Sequence, residues 1–111
     1  MNLEERAKNI ISIKSSLKSY TKFYYEEKKT VENLFKNLLV CKYNLKKMQI
    51  LYWNRKELRA DDVFMSLYDS TSNIYNVIKK EYKNHSRKLK TYKIIIKDRQ
   101  KQISKMAAYG N

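Results

Sequence analysis

The chain has no proline, one glycine, one cysteine, one histidine and one tryptophan in 111 residues. Without Pro and Gly the usual punctuation of turns and strands is missing, so long helices are the default. A single cysteine, Cys41, excludes an internal disulfide framework and reads as a packed thiol. The lone glycine is Gly110, next to the last residue, which excludes a glycine-rich phosphate loop. The longest apolar runs, such as Leu38 to Cys41 or Ile94 to Ile96, are far below the roughly 20 residues that span a bilayer. The opening MNLEERAKNIISIK mixes acids and bases and lacks the basic stretch, apolar block and cleavage site of a signal peptide.

What is present is periodicity. Fifteen positions in the first half recur at alternating steps of three and four, and thirteen are apolar or Cys. One column is Leu3, Ile10, Leu17, Tyr24, Val31, Leu38, Leu45 and Tyr52; the other is Arg6, Ile13, Tyr20, Glu27, Leu34, Cys41 and Met48. Residues three and four apart share a helical face, so this is a stripe for another helix. A second stripe runs Ala60, Phe64, Leu67, Thr71, Ile74, Ile78, Tyr82, His85, Leu89, Tyr92, Ile96, Arg99, Ile103 and Met106. It contains one slip, two successive steps of four at Ile74, Ile78 and Tyr82, which would unwind a supercoil locally.

Between the stripes, Asn54 can end a helix and Asp61 or Asp62 can cap the next. The expected fold is all-α: a single domain over 1–111 forming a long antiparallel two-helix hairpin with coiled-coil-like packing, completed by partner helices. Helix one is expected at about 3–53, a connector at about 54–60 and helix two at about 61–107, each helix near 70 Å long at 1.5 Å per residue. Two alternatives are a break at Asp69-Ser70-Thr71-Ser72-Asn73, giving three helices, and one helix that pairs only between chains. With a turn centred near Glu57, Glu27 lies near His85 and Arg87, and this polar set would fix register.

The net charge of +14 attracts anions. Residues 61–78 carry net −3, residues 79–105 net +9 and the first 60 residues net +8. The bases of the second half read as spread around the helix, mostly Lys, with Tyr75, Tyr82 and Tyr92 on or beside the stripe. That pattern suits a solvated face better than base reading or single-strand stacking, with phosphate or anionic-lipid contact as the competing use.

No residue set points to catalysis. His85 has no ligands at metal spacing around it, Glu26 and Glu27 point about 100° apart on a helix, and Asp61-Asp62 is explained by capping. The expectation is a non-enzyme with no cofactor and no metal. Its partner-binding residues are expected to be Leu17, Tyr24, Val31, Leu34, Phe35, Leu38, Leu39, Leu45, Trp53 and Phe64. Phe35, Leu39, Tyr43 and Ile50 add apolar area beyond one stripe, and Trp53 either closes the hairpin or belongs to a recognition surface at its tip.

A helical hairpin of about a hundred residues with Trp53 at the turn, followed by Ala60-Asp61-Asp62-Val63-Phe64 and then Tyr68, Ile74 and Ile78, resembles the WXG (ESAT-like) superfamily of type VII secretion proteins. More narrowly it is similar to the small Lap-type helical proteins that accompany LXG toxins in Gram-positive bacteria. Trp53 takes the place of the motif Trp, and Arg55 stands where the motif has Gly. The family's C-terminal Tyr-x-x-x-acid export signal has no match: Ile96 is four after Tyr92, and Tyr109 is followed by Gly110 and Asn111. Phe23 with Glu27 has the spacing, but in the first helix. The resemblance implies a cytoplasmic targeting factor or chaperone that binds the helical N-terminal domain of an LXG toxin, with or without a second small helical protein, and that leaves with it by a type VII system. The alternatives are a basic helical nucleic-acid-binding protein and a self-associating coiled-coil protein.

Overall fold

The computed structural model describes residues 2–109. Met1, Gly110 and Asn111 lie outside the described residues. The chain forms α1 (Leu3–Asn54), a one-turn α2 (Lys56–Arg59) and α3 (Asp62–Tyr109). It is an all-α hairpin in which α1 and α3 pack together. The expected ends of both long helices fall within two residues of those observed, and α3 runs without a break through Asp69 to Asn73.

Each end is built from local chemistry. Asn2 caps α1, its Oδ1 accepting from the Glu5 N–H at 2.7 Å. Asp61 caps α3 with one carboxylate oxygen accepting from the N–H groups of Val63 and Phe64, at 3.0 and 3.1 Å, and this satisfies two donors that no helical carbonyl can reach. At the other side of the connector, Arg59 donates to the carbonyls of Tyr52 and Trp53 at 2.7 and 3.0 Å. Its guanidinium also lies 5.2 and 5.4 Å from the centroids of the same two rings. A cation on the last carbonyls of a long helix opposes the helix dipole, so Arg59 is the C-terminal cap of α1.

The chain divides into two compact units. The terminal unit is Met1–Lys29 with Ser86–Asn111, and the connector unit is Thr30–His85. In the terminal unit α1 and α3 run antiparallel, with Tyr20 and Phe23 both against Tyr92 at ring distances of 6.1 Å and Arg99 donating to the Ser16 hydroxyl at 3.4 Å. In the connector unit Phe35 meets Tyr82 at 5.9 Å and Tyr52 meets Tyr68 at 5.5 Å. The facing pairs Tyr20–Tyr92, Phe23–Tyr92, Ser16–Arg99 and Phe35–Tyr82 agree with the register expected for a turn near Glu57, and only Tyr52–Tyr68, next to the connector, is centred on Ala60.

The first stripe is the seam of α1: every position from Arg6 to Tyr52 is half-buried, Cys41 included, and only Leu3 at the start stands clear at 80% exposure. The second stripe is corrected between Phe64 and Ile78. Along the seam the half-buried residues there are Phe64, Tyr68, Thr71, Tyr75 and Ile78, with Met65 and Ser72 half-buried beside it, whereas Leu67 and Ile74 are 55% and 53% exposed. Steps of four and three now alternate without interruption to Met106, and the slip disappears. A continuous helix cannot rotate its face by 100° within one turn, so the phase held from Ile78 onward dictates Tyr75 and Tyr68. Tyrosine suits a two-helix seam: the ring is buried while its hydroxyl reaches water at the rim.

No described side chain is fully buried. Two helices cover only one face of each other, which leaves the flanks of both in solvent.

Candidate partner-binding faces

With the seam positions of each helix taken as heptad columns a and d, columns b, e and f lie within an arc of about 100° on one side, and c and g lie on the other. In an antiparallel pair the e columns of both helices border the seam on one flank and the g columns on the opposite flank. The terminal unit shows this directly. Thr21 and Tyr25 of α1 and Lys93, Lys97 and Gln100 of α3, all in b or e, line one groove of about 250 Å³ with Tyr24 and Ile96 of the seam.

Charge divides along these columns. Set aside Arg6 and Arg99 on the seam and Arg55, Lys56 and Arg59 in the connector. Of the remaining bases only Lys47, Lys88 and Lys105 lie in c or g. All the others lie in b, e or f, so eight of the eleven bases of α3 fall in one arc, with Lys88, Arg99 and Lys105 outside it. Of the acids, Glu5, Glu26, Glu81 and Asp98 sit in c or g, whereas Glu4, Glu32 and Asp69 share column b with the bases.

In the connector unit the c and g columns contain only two charged residues, Lys47 and Glu81. They carry instead Val63, Leu67, Ile74 and Val77 of α3 with Val40 and Leu51 of α1, all exposed. In a chain that is 32% charged, depletion of charge around exposed aliphatics is the composition of an interface core. This face was missed in the sequence because Leu67 and Ile74 were assigned to the seam. Strict three-four alternation carried back from Ile78 would have exposed it.

The expected second apolar side on α1 is also in solvent: Phe35, Leu39, Tyr43 and Ile50 are exposed, and Trp53 is 70% exposed. These residues occupy b, e and f, the basic flank, and Lys47 stacks 4.5 Å from the Tyr43 centroid. Trp53 lies edge-on to Tyr52 at 5.4 Å, but Tyr52, not Trp53, meets α3. Of the residues expected to bind a partner, Leu17, Tyr24, Val31, Leu34, Leu38, Leu45 and Phe64 lie half-buried along the seam columns, while Phe35, Leu39 and Trp53 are available from outside.

Of the expected register set, Glu27 and His85 occupy seam columns and neither is free of a partner, whereas Arg87 is in column f and exposed. Among the described residues no cluster of three or more His, Cys, Asp or Glu could hold a metal, and no helix is long and apolar enough to cross a membrane. No protein-family model, curated protein or solved structure matches the chain.

Proposed function

We propose that the chain is a non-catalytic binding protein whose connector unit docks a helix of another protein on the charge-poor flank. The observation that carries this reading is the heptad spacing of exposed Val63, Leu67, Ile74 and Val77 on a helix pair in which no described side chain is fully buried. A helix laid along that flank would complete a third layer. Six exposed aliphatic side chains gain about 1 kcal/mol each on full burial, and the apolar face of the docked helix gains a similar amount, so the sum exceeds the lower estimates of the cost of association by several kcal/mol.

The resemblance to the companions of LXG toxins supplies the identity of the partner: a helical toxin domain on the charge-poor flank, and a second small helical protein against Phe35, Leu39 and Trp53. In that role the protein is a cytoplasmic targeting factor for type VII export, and its mechanism is binding alone. The excess of lysine steers encounter toward an acidic partner, while the aliphatic face holds it.

A tagged pull-down from the native cell tests this reading, with nuclease treatment, a moderate-salt wash and mass spectrometry. The expected result is a large protein with an N-terminal helical LXG-like domain, and loss of at least a hundredfold of it with Leu67→Asp plus Ile74→Asp. Both substitutions are on exposed positions, so helicity is unchanged. Recovery of no protein after nuclease, recovery only of further copies of this chain, or capture undiminished by the double variant would each overturn the reading.

A further inference from the structure

The terminal unit has a different surface to offer. Its b, e and f columns present Lys14, Lys18 and Lys22 from α1 beside Lys90, Lys93 and Lys97 from α3, with further bases at both ends. The one acid in these columns is Glu4, which is paired with Lys8 at 3.6 Å. The acids Glu5, Glu26 and Asp98 lie in c, and Asp98 bonds Arg99 and Gln102 there. Two helices packed side by side thus give one flank a single sign of charge. The groove lined by Tyr25, Lys93 and Lys97 shows that lysines from both helices share that flank.

Apolar groups stand singly among these lysines. Ile11 and Ile94 are each 68% exposed and Tyr25 is 63% exposed, Ile11 and Tyr25 in column b and Ile94 in column f at the outer edge of the flank. They do not form the continuous ridge that a helix would need. On a surface that touched only nucleic-acid phosphates they would meet charge and water, with nothing to bury against. Facing a lipid headgroup layer, isolated aliphatic and aromatic tips enter the acyl boundary while lysine stems lie along it with their ammonium groups at the phosphates. Ten of the eleven bases on this flank are Lys, the flexible point charge suited to diffuse phosphate contact and not to bidentate base reading.

We infer that the b, e and f flank of the terminal unit docks on an anionic lipid bilayer. Each lysine brought to an anionic leaflet raises binding by about fivefold and is screened by salt. Contact of six such side chains with the leaflet therefore gives reversible attachment without a spanning helix. The lysines of this contact are a different set of residues from the charge-poor columns of the connector unit.

Sedimentation of the full chain with vesicles tests the inference at physiological salt. One set is phosphatidylcholine with about a third phosphatidylglycerol, the other phosphatidylcholine alone. The expected result is binding to the first set and not the second. Reversal of four exposed lysines, Lys18→Glu, Lys22→Glu, Lys93→Glu and Lys97→Glu, lowers it by at least a hundredfold with helicity retained. A charge-matched control in the connector unit, Lys42→Glu, Lys46→Glu, Lys79→Glu and Lys83→Glu, lowers it by less than tenfold. Ile11→Ser with Ile94→Ser lowers vesicle binding severalfold and leaves the salt dependence unchanged. Equal loss with both charge reversals, equal binding to neutral vesicles, no effect of the isoleucine substitutions, or tighter binding to duplex DNA than to anionic vesicles would each overturn it. The terminal-unit variant keeps partner capture in the pull-down, so failure here is separable from failure of the partner-binding reading.

Discussion

Leu38→Asp combined with Leu45→Asp abolishes the cooperative unfolding transition of the chain. Both leucines lie in the same heptad column of α1 and are half-buried in the seam of the connector unit. Each substitution removes about 1 to 1.5 kcal/mol of apolar burial and adds about 1 to 3 kcal/mol for partly desolvating a carboxylate. A domain of this size commonly has about 5 kcal/mol to lose, and among the described residues no side chain is fully buried to hold in reserve. Far-UV circular dichroism during heating would show a weak, non-cooperative signal for the variant and a sigmoidal melt for the natural chain. A melt within a few degrees of the natural one would mean that the seam does not hold the hairpin.

The second large effect inverts the usual expectation from hydrophobicity. Tyr68→Ala with Tyr75→Ala destabilises the free chain by about 3 to 5 kcal/mol, whereas Leu67→Ala with Ile74→Ala changes it by less than about 1 kcal/mol. The tyrosines are half-buried in the seam, and Tyr68 lies between Tyr52 at 5.5 Å and Phe64 at 6.3 Å. The leucine and isoleucine lose little because they are more than half exposed before the change. Urea denaturation of the two double variants decides the matter, since the difference appears as a shift in midpoint at similar slope. Equal destabilisation, or the larger loss in the Leu67 and Ile74 pair, would restore the slipped seam and remove the aliphatic face.

Most of the architecture is legible in the sequence because a heptad stripe leaves little freedom. From Arg6 to Tyr52 each seam residue can be read from spacing alone, while the sequence narrows the cap of α3 to Asp61 or Asp62 and the hydrogen bonds to Val63 and Phe64 select Asp61. Asn54, Arg55 and Ala60 mark the connector, but one short helix within it and the clamp of Arg59 on the Tyr52 and Trp53 carbonyls depend on a turn geometry that no periodicity encodes. The start of α3 misleads for a definite reason. Leu67 and Ile74 are more apolar than Tyr68 and Tyr75, so a choice by residue type favours them. A choice by phase favours the tyrosines, and phase wins because the helix is continuous. Ser70, Thr71 and Ser72 form no break because Thr71 is a seam position and tertiary packing outweighs weak propensity.

The candidate surfaces follow from that phase. Once Tyr68 and Tyr75 occupy the seam, Val63, Leu67, Ile74 and Val77 fall on a flank with almost no charge, and the lysines collect on the other. Composition alone shows a net charge of +14 and suggests a diffuse basic coat. Heptad columns resolve it into a lysine flank and an aliphatic flank, two surfaces suited to different partners.

The central claim is that the aliphatic flank of α3 is where a helical protein docks. Hydrogen exchange of the chain, alone and in the complex recovered from its own cell, measures this most directly. The amides of residues 63–77 in the free chain are held only by their own helix and one neighbour, and a docked helix slows their opening. The account predicts that protection gained on binding centres on residues 63–77, with a smaller gain around Val40 and Leu51. Protection that rises only in the lysine-bearing segments of the terminal unit, with residues 63–77 unchanged, would contradict it.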